Sequence, residues 1–176
     1  PEGWSNSTLR PFATTHTVPS CGWMIQQHAM AGKFDRQRAD DLNLSTKERA
    51  MLARGEDVTT ADGTTLESAW FRGGERAPVS VLVSGDTAAM PPAWTDEVRP
   101  TLLIHEATFL DEQQDKADEH QHSTAAGAVA SALAVGAESL ALTHYSNRIK
   151  STEEPVSEAK SAGEALPVVA LNDNDR

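Results

Sequence analysis

Apolar positions in the second half of the chain fall in short blocks, each closed by polar turn residues. Val79 to Val83 runs into Ser84-Gly-Asp, Thr101 to Ile104 into His105-Glu106, and Leu140 to Thr143 into His144, with Pro167-Val-Val-Ala-Leu as a last block. Runs of this length, rich in branched residues and bounded by turn chemistry, predict buried strands. Between them lies Ser123-Thr-Ala-Ala-Gly-Ala-Val-Ala-Ser-Ala-Leu-Ala-Val-Gly. Its Ser/Thr start, its alanines and Gly136 predict a capped helix with a defined stop. A second helix fits Glu154 to Ala165, and the acidic stretch Asp111 to Glu119 reads as a solvated loop or helix. Strand alternating with helix predicts an α/β layer with parallel strands.

The first half is patterned differently. Phe12 to Gln27 predicts two strands around Pro19-Ser20-Cys21-Gly22. His28 to Arg54 is polar and helix-compatible, broken at Ala31-Gly32 and anchored by Leu42, Leu44, Met51 and Leu52. Asp62-Gly63 is a tight-turn signal that predicts a small hairpin. Arg72-Gly-Gly-Glu-Arg-Ala-Pro is a loop into the Val79 strand. The hairpins make the expected sheet mixed. At 176 residues, without repeats or an evident linker, residues 1–176 are expected to form a single domain.

Charge narrows the partners only modestly. The net charge is −11, with Lys and Arg together numbering 15. This argues against simple electrostatic capture of nucleic acid or anionic membrane, although a halophilic source would give the same balance. No apolar run approaches the roughly 18 residues that span a bilayer, so no membrane partner is expected. The opening Pro1-Glu-Gly-Trp has neither an initiator Met nor a signal-peptide pattern, which suggests a start inside a longer reading frame. The one cysteine, Cys21, cannot form an intrachain disulfide, which fits a cytoplasmic setting, and it is expected to be buried.

Chemistry concentrates at strand ends. His16, Asp86 and His144 each follow an apolar run, and ligands in open α/β sheets gather beyond the carboxyl ends of strands. Imidazole and carboxylate are zinc-ligand types. Each residue alone reads more readily as turn or hydrogen-bonding chemistry; together they raise a metal site to an even alternative. His122 and Glu106 could pair as an acid tuned by a carboxylate, or both could be solvated. Ser123 and Thr124 could bind phosphate at a helix start or serve as ordinary caps. Arg148 could fork onto a phosphate or lie idle, and His28 and His120 read as solvated.

The words Gly32-Lys-Phe-Asp, Arg54-Gly-Glu-Asp-Val-Thr, Ser84-Gly-Asp-Thr, His105-Glu-Ala-Thr-Phe, His122-Ser-Thr-Ala and Leu142-Thr-His-Tyr-Ser-x-Arg occur in one order. In this the chain resembles the C-terminal part of the ribonuclease Z (tRNase Z) family. The resemblance implies the C-terminal half of a metallo-β-lactamase αβ/βα sandwich, a mixed sheet with flanking helices. It implies an endonuclease that removes the 3′ trailer from precursor tRNA, using two Zn2+ per complete site, and a homodimer. It further implies His16 and His144 as ligands of the two zincs, Asp86 as their bridge, His122 as proton donor with Glu106 its partner, and Arg148 near the tRNA end. The family's His-x-His-x-Asp-His motif is absent, Ala88 stands where an arginine is usual, and Leu44-Ser-Thr-Lys-Glu-Arg replaces a Gly-Pro stretch. Half a site is therefore expected, inactive alone. The alternatives are another phosphodiesterase or hydrolase of this fold, or a non-catalytic half serving as an interaction module.

Overall fold

The computed structural model describes residues 6–95 and 97–172. These form two compact units, one from the described residues of 6–27 and 79–172 and the other from 28–78.

The larger unit is built on a six-stranded sheet. Strands β1 (Ser7–Ala13) and β2 (Cys21–Gln27) form an antiparallel hairpin. The smaller unit holds the short strands β3 (Val58–Thr59) and β4 (Thr65–Leu66). Strands β5 (Val79–Val83), β6 (Leu102–Glu106), β7 (Leu140–Thr143) and β8 (Val168–Ala170) complete the large sheet in the order β1-β2-β5-β6-β7-β8. Strand β2 is antiparallel to β1 and to β5, and β5 to β8 run parallel. The carboxyl ends of β1, β5, β6 and β7 therefore share one rim.

The smaller unit also contributes helices α1 (Arg36–Asp41) and α2 (Thr46–Arg54). Ser45 and Glu48 cap α2 reciprocally, so the stretch that departs from the family pattern is a helix start. Leu44, Leu52, Val58, Leu66 and Phe71 form this unit's own core, and the Asp62-Gly63 turn joins β3 to β4 as the sequence predicts.

In the larger unit, helices α3 (Gln114–His120), α4 (Ala125–Ala134) and α5 (Glu153–Ala162) follow β6, α3 and β7 respectively. Thr124 caps α4 by accepting from Gly127, and Gly136 turns out of it at φ 64°. Phe12, Met24, Leu82, Leu103, Leu140, Leu142 and Val168 pack with the apolar side of α4 and α5 in one core. Each fully buried leucine contributes about 1.5–3 kcal/mol by leaving water.

The residues that alternate with these point to the other face of the sheet. Register pairs Leu9 with Ile25, Pro11 with Trp23, Ile25 with Val81, Trp23 with Val83, and Val83 with Ile104. These positions form an apolar band across several strands. Trp23 (43%), Ile25 (39%), Val79 (48%) and Val169 (55%) are open to solvent and lie outside the core cluster formed with α4 and α5. Cys21 belongs to the same face. Contrary to expectation its thiol is exposed, because it shares the parity of Trp23 and Ile25 rather than that of buried Met24.

Candidate metal centre

Four elements bring the candidate side chains to the shared rim. His16 lies in the loop after β1. Asp86 follows β5 through Gly85, whose φ of 64° makes the turn and whose missing Cβ lets it approach the Cys21 carbonyl. Glu106 is the last residue of β6, and His144 follows β7 with a left-handed φ of 55°. His122 precedes α4, after Gln121, itself left-handed at φ 53°. Non-glycine residues in this region are strained and concentrate at functional sites.

Potential ligand atoms of His16, Asp86 and His122 lie within 4.8 Å of one another, as do those of Glu106, His122 and His144. His144 Nε2 is 3.6 Å from Asp86 Oδ1, which ties the two groups together. The five residues thus form one cluster with His122 common to both groups. The His16 and His122 rings meet edge to face at 4.8 Å, and those of His122 and His144 stack at 5.6 Å.

The hydrogen bonds orient the three imidazoles alike. His16 Nδ1 is 3.0 Å from the Gln121 carbonyl, an acceptor, so Nδ1 carries the proton. His122 Nδ1 is 2.6 Å from Glu106 Oε1 and donates for the same reason. Thr108 spends its hydroxyl proton on Glu106 Oε2 at 2.6 Å and so accepts from His144 Nδ1 at 2.9 Å. Each ring is left with Nε2 as its free nitrogen, the arrangement in which outer hydrogen bonds prepare histidines for a metal. Three imidazole nitrogens and the Asp86 carboxylate are donors that suit zinc or a similar borderline cation.

Glu106 is the hub. It is 1% exposed and also accepts from the backbone N–H of Thr87 (2.7 Å) and of Ser123 (3.1 Å). Ser123 and Thr124 are buried, and their hydroxyls engage the Thr124 carbonyl and the Gly127 N–H respectively, so they hold the loop together. Arg148 is exposed beyond the rim, and His28 and His120 are exposed as read from the sequence. Thr108 carried no role in the sequence reading. The signal available was its place two residues after Glu106 at a strand end.

His105, the neighbour of Glu106, faces the core. It is fully buried against Trp94, with ring centroids 5.7 Å apart. Its Nδ1 donates to the Glu106 carbonyl at 2.7 Å, while Nε2 has no partner among the described residues. Burial holds its pKa below the usual 6.5, with the Glu106 contacts opposing. The unfolded chain therefore binds the extra proton first as pH falls. This contribution to stability is full above pH 6.5 and is lost below it, at up to about 1.4 kcal/mol per pH unit. Urea melts at pH 7.5 and 5.5 should show a drop that His105→Gln reduces; an equal drop in that variant would overturn the assignment.

No protein-family model matches the chain. It is 38% identical over 142 residues to "Ribonuclease Z" of Synechococcus sp. (strain CC9605), covering 80% of this chain and 44% of that protein. To "Ribonuclease Z" of Halobacterium salinarum it is 34% identical over 161 residues, covering 90% and 52%. The chain is homologous to ribonuclease Z. It spans about half the length of the curated relatives it matches.

Solved structures give the fold. The metallo-β-lactamase fold protein YhfI from Bacillus subtilis matches with a TM-score of 0.58 at 17% identity, over 96% of this chain and 48% of that one. A long form RNase Z from yeast matches at 0.52 and 19%, over 96% of this chain and 15% of its own. The mixed sheet with flanking helices is thus the metallo-β-lactamase fold, as expected from the sequence.

Proposed function

We propose that this chain is the C-terminal half of a zinc-dependent endoribonuclease that removes the 3′ trailer from precursor tRNA. The observation that carries the reading is the cluster of His16, Asp86, Glu106, His122 and His144 in a chain homologous to ribonuclease Z. The bare apolar face across β1, β2 and β5 supports a partial domain, since a sheet face of this kind is normally buried under a second layer. Residues 1–176 then form one partial domain whose second layer, and remaining metal ligands, come from further polypeptide.

In this reading His16, His144 and Asp86 would hold the pair of zinc ions, the two histidines through their free Nε2 atoms. When bound, the pair would supply a water of lowered pKa and charge stabilisation for in-line phosphodiester displacement. The chain's own residues do the rest. Glu106 fixes the His122 ring by accepting from its Nδ1–H. His122 Nε2 then gives its proton to the departing 3′-oxygen as the phosphorus–oxygen bond breaks and the oxygen of water joins phosphorus, the water's own proton passing to solvent. The products are a tRNA 3′-hydroxyl and a 5′-phosphorylated trailer. Arg148 would hold a phosphate of the RNA end from the rim. The substrate-bearing protein is proposed as a cytoplasmic homodimer. No helix among the described residues is long and apolar enough to cross a membrane.

The test is cleavage by the full-length protein, loaded with zinc, of precursor tRNA and of bis-p-nitrophenyl phosphate. Cutting at the tRNA–trailer junction, with no activity from the chain alone, is expected. Hydrolysis of the small ester without preference for the junction would replace the reading with a general phosphodiesterase.

A further inference from the structure

Glu158 lies on α5, outside the cluster, yet its carboxylate closes the loop that carries His122. Oε2 accepts the N–H of Asp111 at 2.7 Å and Oε1 accepts the N–H of Ala126 at 2.9 Å. The first turn of α4 has N–H groups without helical partners, and three of them find acceptors here. Ala125 donates to the Phe109 carbonyl, Ala126 to Glu158, and Gly127 to the Thr124 hydroxyl. Negative charge at a helix N-terminus is also favourable in itself.

The two segments that Glu158 holds run side by side. Phe109 and Thr124 form a parallel bridge, reinforced by donation from Phe109 N–H to the Ser123 carbonyl at 3.2 Å. At one end of this short ladder stand Thr108 and His122, both bonded to Glu106. At the other end, the Glu158 carboxylate joins Asp111 and Ala126. Glu106 fixes the near end and the Phe109–Thr124 bridge the middle, so Glu158 is the side chain that ties the far end.

We propose that Glu158 is a positioning residue: by tying Asp111 to Ala126 it holds Thr108 and His122 where both meet Glu106. The consequence for cleavage rests on the nuclease reading, whereas the structural clamp does not.

The experiment compares Glu158→Ala and Glu158→Gln with the unaltered full-length protein. In kinetics on precursor tRNA, kcat is expected to fall about tenfold or more, as small misplacements of reacting groups do, with KM nearly unchanged. By NMR on the same proteins, the His122 Nδ1–H resonance should broaden or shift, and the amides of Asp111 and Ala126 should exchange faster with solvent. Should Glu158→Ala not fold, Glu158→Gln keeps the size and one acceptor oxygen and supplies both readouts. A lowered melting temperature with kcat and the His122 resonance unchanged would make Glu158 merely structural and overturn the proposal. If the unaltered protein cuts no precursor tRNA, the nuclease reading fails, and the His122 and amide signals still decide the clamp.

Discussion

Replacing Asp86 with alanine in the full-length protein is expected to lower cleavage of precursor tRNA by at least about a thousandfold, the upper range for removing one preorganised electrostatic group. Asp86 is the carboxylate in the group with His16 and His122, and it also lies 3.6 Å from His144 Nε2. Glu106, the other carboxylate of the cluster, is already engaged by Thr87, Thr108, His122 and Ser123. The fold should hardly notice the change. The Asp86 side chain is 42% exposed, and the turn is held by its backbone, whose carbonyl accepts from the Ser20 hydroxyl at 2.9 Å. Exposed sites of this kind change stability by only about 0.5 kcal/mol. Cleavage rates, bound zinc by elemental analysis and a thermal melt on one preparation check all three statements. Near-normal cutting by Asp86→Ala would remove the basis for a metal bridge at this position.

Much of the fold was legible because some signals are local. The strand Val79–Val83 and the strand Leu140–Thr143 match the sequence reading at both ends, since apolar blocks stop where Ser84-Gly85 and His144 begin. Thr124 and Gly136 mark α4 through capping chemistry that acts within one turn. Helix α5 ends at Ala162, before the expected Ala165, because Gly163 leaves helical geometry at φ −149°. The acidic stretch proved to be a short 3-10 turn, Asp111–Gln113, leading into α3.

What escaped the sequence depends on partners distant along the chain. The carbonyl that orients His16 belongs to Gln121, 105 residues away, and a backbone acceptor leaves no mark in side-chain pattern. Thr108 becomes a hub only after β6 and β7 pair. The exposure of Cys21 follows from which face of β2 meets helices, which periodicity alone does not assign. Residues 28–78 form their own core without any shift in composition to announce it.

Glu106→Ala should show the largest loss of stability of any single change at the rim. The side chain is 1% exposed, and its oxygens accept from the N–H groups of Thr87 and Ser123, the Thr108 hydroxyl and His122 Nδ1. Truncation leaves two backbone donors and an imidazole unsatisfied around a cavity. Each unsatisfied buried group costs about 1–3 kcal/mol, partly relieved by water entering beside the exposed His144. A net loss of about 3–4 kcal/mol follows, or a fall in melting temperature of roughly 10 °C for a domain of this size. Glu106→Gln separates this cost from the chemistry. Its amide keeps one acceptor oxygen for Thr87 and His122 but turns N–H groups toward the Ser123 N–H, a clash of two donors. It should destabilise less than alanine and yet lower kcat about a hundredfold, the lower range for general acid–base catalysis, because His122 loses the carboxylate that fixes its ring. Urea melts and single-turnover cleavage at matched fractions folded test the pair. If Glu106→Gln cuts at the normal rate while Glu106→Ala only loses stability, Glu106 organises the rim without tuning His122, and the proton donor must be sought elsewhere.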